Sequence, residues 1–286
     1  MIVRIDAGYT GPMDLVVNGH PAYAYTGGKR FDASLPAIVF LHGAMHDHSV
    51  WTLLARWFAH HGRAVLAPDL PGHGQSGGAP LESVEAIADW VVALLDAAGV
   101  DAAVLVGHSM GSLIALEAAS RAPARASRLV MVGTAYPMTV SAALLEAAER
   151  DPYAAIDSVN ALSISSLAGK PSYPGPGTWL HGANRILSRR LQAAQREANL
   201  FLTDFLVCDR YRGGLEAAAR VTCPTTLVLG TRDQMTTPKQ TAGLVEALRA
   251  QVVTLPVGHS LMTEAPDALL AAVRAAVVPD SPPPGR

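Results

Sequence analysis

Hydrophobic residues recur along this chain in two rhythms. Short unbroken apolar runs, Ala37-Ile38-Val39-Phe40-Leu41, Ala64-Val65-Leu66-Ala67, Val104-Leu105-Val106 and Leu129-Val130-Met131-Val132, read as strands buried on both faces. Between them apolar residues fall at helical spacing. One such stretch runs from Val50 to His61 and stops at Gly62. Another follows Ser83, with Val84, Ile87, Val91, Leu94 and Leu95 on one face and Gly99 at its end. Ser83 is placed to cap that helix. Later, Thr225 to Leu229 and Val252 to Leu255 read as strands, Pro238 opens a helix to about Ala250, and a final helix begins near Pro266. Residues 2–5 and 13–25 read as edge strands joined by Gly11-Pro12, with a further turn at Asn18-Gly19. The alternation predicts an α/β fold: a mostly parallel, doubly wound central sheet covered on both faces.

The rhythm breaks at Pro137. From about Thr139 to about Gly214 no buried-strand run occurs, and helical patterns lie around 141–150 and 185–206, separated by a stretch rich in Pro and Gly at 171–177. An insertion of this length predicts a helical lid over the carboxyl end of the sheet. The expected organisation is a core of residues 1–136 and 215–278, a helical cap at 137–214 and a disordered tail at 279–286.

Composition narrows the partners. The chain has 286 residues, 50% hydrophobic and 16% charged, enough for one large α/β domain with an insertion. A net charge of −2 argues against a nucleic acid or an anionic membrane as main partner. Its two cysteines, Cys208 and Cys223, have no C-x-x-C spacing and suit a reducing compartment. The charged N-terminus does not fit a signal peptide, and no apolar run approaches the ~18 residues of a membrane span. The expectation is a cytoplasmic protein acting on a small molecule. Oligomeric state is not legible.

The chemistry centres on Gly107-His108-Ser109-Met110-Gly111, between a buried strand and the helical run Leu113-Ile114-Ala115-Leu116. In that setting G-x-S-x-G is the pattern of a nucleophile elbow; the plainer alternative is a Gly/Ser turn. A serine needs a base, and the base needs an acid to fix its tautomer. Asp233 and His259 follow later strands in the order Ser, Asp, His. Asp233 is also a plausible turn aspartate and His259 a plausible loop histidine, with Asp209, Glu264 and Asp267 as rival acids. The backbone N–H groups of Met110 and Ala44 are the candidate oxyanion donors. His42, Met45, His108 and Trp179 are candidate pocket residues, Trp179 equally a candidate, with Tyr173, Leu180 and Leu187, for the lid's own core. His42, His46, His48 and His60-His61 raise a metal reading, but no H-E-x-x-H or Cys/His cluster supports it, so no metal is expected. Asp69 and His73 read as structural hydrogen-bonding residues in a glycine-rich loop, and Arg185, Arg189, Arg190 and Arg196 as a solvated helix face.

Taken together, His42-Gly43 with Trp51 downstream, Asp69-Leu70-Pro71-Gly72-His73-Gly74-Gln75-Ser76, the elbow, Gly230-Thr231-Arg232-Asp233 and Gly258-His259 resemble the α/β-hydrolase fold superfamily in its serine-nucleophile branch. The resemblance implies a carboxylesterase or lipase-like hydrolase of small to medium acyl substrates, working without a cofactor. Ser109 departs from the aspartate nucleophile of epoxide hydrolases and haloalkane dehalogenases. His108 stands where many carbon–carbon bond hydrolases have Asn, and Met45 where haloperoxidases have Pro. Carbon–carbon bond hydrolysis and acyl transfer by the same triad remain alternatives, as does a non-catalytic ligand-binding role.

Overall fold

A computed structural model describes residues 13–165 and 179–277. The expected strand at 2–5, the stretch at 171–177 with Tyr173, and the tail at 279–286 lie outside the described residues.

Eight strands form one sheet: β1 (Met13–Val17), β2 (His20–Tyr25), β3 (Ala37–Leu41), β4 (Ala64–Pro68), β5 (Ala103–His108), β6 (Ala126–Val132), β7 (Thr225–Gly230) and β8 (Gln251–Leu255). Their order is β1-β2-β4-β3-β5-β6-β7-β8. The β1–β2 and β2–β4 pairs are antiparallel, and every pair from β4 to β8 is parallel.

The two-residue period of the strands divides the core. Val39, Leu41, Leu105, Leu129 and Met131 face one side, against α2 (Val84–Ala97) and α3 (Met110–Arg121). Ile38, Phe40, Val104, Val106 and Val130 face the other, against Trp51, α1 (Thr52–His60) and α11 (Pro266–Val277). Both faces being buried is why the sequence runs are continuous rather than alternating. Ser83 caps α2 by accepting the Ala86 N–H at 3.1 Å, worth about 1 kcal/mol. The expected helix from Val50 begins earlier, as a 3₁₀ turn over His48–Trp51 capped by Asp47, and passes into α1. The helix expected from Pro238 likewise opens as a 3₁₀ turn, Pro238–Thr241, before α9 (Ala242–Leu248).

Between β6 and β7 the described residues form α4 (Ala142–Arg150), α5 (Pro152–Ser163), α6 (Leu180–Ala194), α7 (Leu200–Arg210) and α8 (Gly214–Arg220). α8 packs on α3 and α9. α4 to α7 hold a separate apolar cluster, including Ala148, Ile156, Leu191, Phe201 and Phe205, and Met45 from the loop after β3 inserts its side chain into it. A four-residue α10 (Leu261–Glu264) precedes α11. Among the described residues no helix is long and apolar enough to cross a membrane.

Candidate active site

The elbow is built by close contact. Ser109 stands between β5 and α3 at φ 53°, ψ −121°, in a region L-residues avoid. Its N–H still bonds Val132 O at 2.9 Å, so the strained turn remains attached to the sheet. A Cβ on Gly107 would lie 2.0 Å from Gly111 O, and one on Gly111 would lie 2.4 Å from Leu41 O. Both glycines are therefore required by the proximity of strand, turn and helix. Ser112 Oγ donates a hydrogen bond to Ser109 O at 2.5 Å and also lies 2.7 Å from Thr134 Oγ1.

Asp233 and His259 follow β7 and β8 and meet: His259 Nδ1 lies 2.8 Å from Asp233 Oδ2. Both side chains are buried. The Met235 and Thr236 N–H groups donate to Asp233 Oδ1 at 2.8 and 2.9 Å, and Thr236 Oγ1 lies 2.7 Å from Oδ2. Burial pushes this carboxyl up, but His259 and the donors from Thr236 outweigh it and hold the pKa at about 2. Asp233 is thus an anion placed to accept the Nδ1–H of His259.

Ser109 and His259 lie on the wall of one cavity of about 220 Å³, together with Ala44, Met45 and His108. The rest of the wall is mostly apolar and comes from the inserted helices, with Leu144, Ile156, Val159, Phe201 and Phe205. Two residues expected in the pocket lie elsewhere. His42 is fully buried behind the wall, where its Nε2 accepts the Leu70 N–H at 3.0 Å and its Nδ1–H faces Gly43 O at 2.9 Å. It ties the loop after β3 to the loop after β4. Burial and the neighbouring His73 press its pKa down to about 4. Trp179 is half-exposed and folds back over Gly182, where a Cβ would meet its ring at 2.2 Å.

His108 is buried, and its Nε2–H donates to the His259 carbonyl at 2.9 Å. Burial first, then His259 and His46, drive its pKa well below the usual range, so the ring is neutral. His46 stacks on it at 5.9 Å and meets Asn184 Oδ1 from α6 at 3.0 Å. In the loop after β3, the Met45 N–H is taken by Asp204 Oδ2 of α7 at 2.8 Å and the His46 N–H by Gly43 O. Ala44 stays on the cavity wall, one residue before a strained Met45 at φ 58°. Met110 is the first residue of α3, where the helix dipole favours developing negative charge.

Asp47, His48 and Asp69 place one metal-ligand type of atom each within 4.8 Å. These atoms already serve one another and the fold. Asp69 Oδ1 accepts from the His48 N–H and lies 2.8 Å from His48 Nδ1, and Asp47 caps the 3₁₀ turn and binds Arg190 at 2.7 Å. Asp69 Oδ2 accepts the Gln75 N–H. Glu264, a rival acid by sequence, instead binds the Gly258 N–H at 3.0 Å and the Ser165 hydroxyl at 2.6 Å, bracing the loop before His259. Asp209 accepts the Val140 N–H at 2.9 Å. Thr236 and Asp204 did not stand out in the sequence. An Asp followed three residues on by Thr is a local turn signal that points to Thr236; nothing local points to Asp204.

The profile of the alpha/beta hydrolase family matches residues 38–273. The sn-1-specific diacylglycerol lipase ABHD11 of Mus musculus is 42% identical over 102 residues, 35% of this chain and 33% of that protein. The pimeloyl-[acyl-carrier protein] methyl ester esterase of Aromatoleum aromaticum is 40% identical over 101 residues, 35% of this chain and 37% of that protein. The chain thus aligns with about a third of the length of these relatives. In fold, a hydrolase from Pseudomonas aeruginosa PA01 superposes with a TM-score of 0.78 at 21% identity, covering 96% of this chain and 100% of that one. With the profile spanning the sheet from β3 to α11, the chain belongs to the alpha/beta hydrolase family.

Proposed function

We propose that this protein is a serine hydrolase that cleaves a carboxylic ester with a small to medium apolar acyl group, through Ser109, His259 and Asp233. The observation that carries the reading is a shared cavity wall. Ser109 and His259 both border the 220 Å³ space, and His259 is backed by Asp233 at 2.8 Å. The names of the matched relatives, a diacylglycerol lipase and a methyl ester esterase, fit ester chemistry.

In this mechanism His259 Nε2 takes the Ser109 Oγ proton as Oγ bonds to the ester carbon, and Asp233 stabilises the imidazolium. The oxyanion is received by the N–H groups of Ala44 and Met110. His259 then passes its proton to the leaving alkoxide. A water, deprotonated by the same nitrogen, attacks the acyl-enzyme; the bond to Oγ breaks as His259 returns the proton to Ser109, and the acid is released. The inserted helices act as a cap whose apolar side chains receive the acyl group and keep bulk water out.

The test is Ser109→Ala. Wild type is expected to hydrolyse p-nitrophenyl esters and to be labelled by a fluorophosphonate; the variant loses both while keeping its circular dichroism. Undiminished hydrolysis in the variant excludes the mechanism.

A further inference from the structure

The loop after β3 owes its shape to the inserted helices. Met45 is held in the left-handed region, a conformation that persists only where the surroundings over-determine it. Three holds act on it, and all come from the insertion. Asp204 of α7 accepts its N–H at 2.8 Å. Ser188 Oγ of α6 lies 3.2 Å from the Met45 carbonyl and shares its one proton between that oxygen and Asn184 O, at the same distance. The Met45 side chain sits in the apolar cluster with Ala148, Leu191 and Phe201.

Asp204 also grips the core. His73, in the loop after β4, approaches Asp204 Oδ2 with Nε2 at 3.0 Å and Pro71 O with Nδ1 at 3.1 Å. Both ring nitrogens face atoms that only accept, so both carry protons and His73 is a cation paired with Asp204. The pair is buried on both sides, where breaking it would strand a charge. Counted from Phe201, Asp204, Phe205 and Cys208 fall three, four and seven residues on, which puts the four side chains on one helical face. Phe201, Phe205 and Cys208 line the cavity. One face of α7 therefore both borders the acyl space and holds the loop that carries Ala44.

We infer that Asp204 is a positioning residue, which through Met45 turns the Ala44 N–H into the oxyanion hole and makes that hole a joint product of core and insertion. The inference rests on the ester-hydrolase reading and adds to it a regulation of the same site. An acyl group that fits against α7 steadies the helix holding the oxyanion loop, so acyl fit is expressed in kcat and not in KM alone.

The experiment compares wild type, Asp204→Asn, Asp204→Ala and Ser109→Ala as full chains. Each is assayed with p-nitrophenyl esters from acetate to octanoate, for inhibition by an alkyl trifluoromethyl ketone, and by hydrogen–deuterium exchange over residues 42–48. In Asp204→Ala, kcat is expected to fall about 100-fold, the size of a lost oxyanion donor, with KM within about threefold. Affinity for the ketone falls in parallel, and the 42–48 segment exchanges faster while the β5 segment stays protected. Asp204→Asn, which keeps one acceptor oxygen, lies between and covers the case in which Asp204→Ala does not fold. Wild-type kcat in Asp204→Asn and Asp204→Ala, or unchanged exchange of residues 42–48, overturns the role. A wild-type protein inert to esters and to fluorophosphonate removes the ester-hydrolase reading instead, and loop exchange then still decides whether Asp204 holds Met45.

Discussion

The Nε2–H of His108 lies 2.9 Å from the main-chain carbonyl of His259, so the residue before the nucleophile holds the backbone of the proposed base. His108→Ala removes that donor, leaves a buried carbonyl unpaired and opens space beneath the ring of His46. We expect stability to fall by about 2–3 kcal/mol, and kcat to fall on the order of tenfold or more with KM little changed. Urea denaturation and steady-state ester kinetics measure the two effects separately. A variant with full kcat would show that His259 is held well enough without His108.

Asp233 offers a test in pH. Its pKa is held at about 2, below the ~3.9 of an unfolded aspartate, because His259 and the Thr236 donors outweigh the cost of burial. A depressed carboxylate pKa stabilises the fold fully above the unfolded value, and the stabilisation is lost as pH falls through the folded value. Asp233→Asn is therefore expected to be less stable than wild type above about pH 4, by on the order of 2 kcal/mol, and the margin should narrow as pH falls from about 4 to 2. The amide also favours the wrong His259 tautomer, so kcat should drop by up to roughly 10⁴-fold. Denaturation midpoints across this pH range check the first expectation, and a margin that does not narrow in acid contradicts it.

How much of this was legible in sequence follows from the range of each interaction. Most parallel strands are legible because burial on both faces demands unbroken apolar runs, and Ser109 and Asp233 follow two of them; His259 follows β8, a mostly exposed edge strand with a weaker signal. The insertion was read less well. Asp151-Pro152 looks like a break but is an N-cap followed by a proline at the first helical position, so α5 was not expected. The pattern at 185–206 is two helices, α6 and α7, the second capped by Asn199. Asp204 reads as an ordinary helix aspartate because its partners, His73 and Met45, lie 131 and 159 residues away. Trp179 reads as a pocket residue or as part of the lid's own core, because aromatic character does not say which way a ring turns; it is half-exposed and lies over Gly182.

The glycines of the elbow separate steric demand from conformational demand. Gly107→Ala would press its methyl group to 2.0 Å from Gly111 O, where only backbone can move. Gly19→Ala meets nothing within 4 Å but sits at φ +83°. We expect Gly107→Ala to cost more than about 3 kcal/mol and to abolish activity, and Gly19→Ala to cost only on the order of 1 kcal/mol with activity kept. Thermal melts of the two purified proteins decide this; similar melting temperatures would mean that the elbow has room the structure does not show.

Acyl length should be set by the cap wall. Val159 of α5 lines the cavity, as do Phe201 and Phe205, whose rings lie 4.1 Å apart at 11°. Val159→Phe adds bulk to a cavity of only about 220 Å³. A misfit of a few methylenes in an apolar pocket changes kcat/KM by roughly 10- to 200-fold, so octanoate should suffer by that range while acetate, which needs only the space beside Ser109, stays within about threefold. The ratio of octanoate to acetate turnover measures this without absolute enzyme concentration. An unchanged ratio would mean that the acyl chain leaves along a different wall.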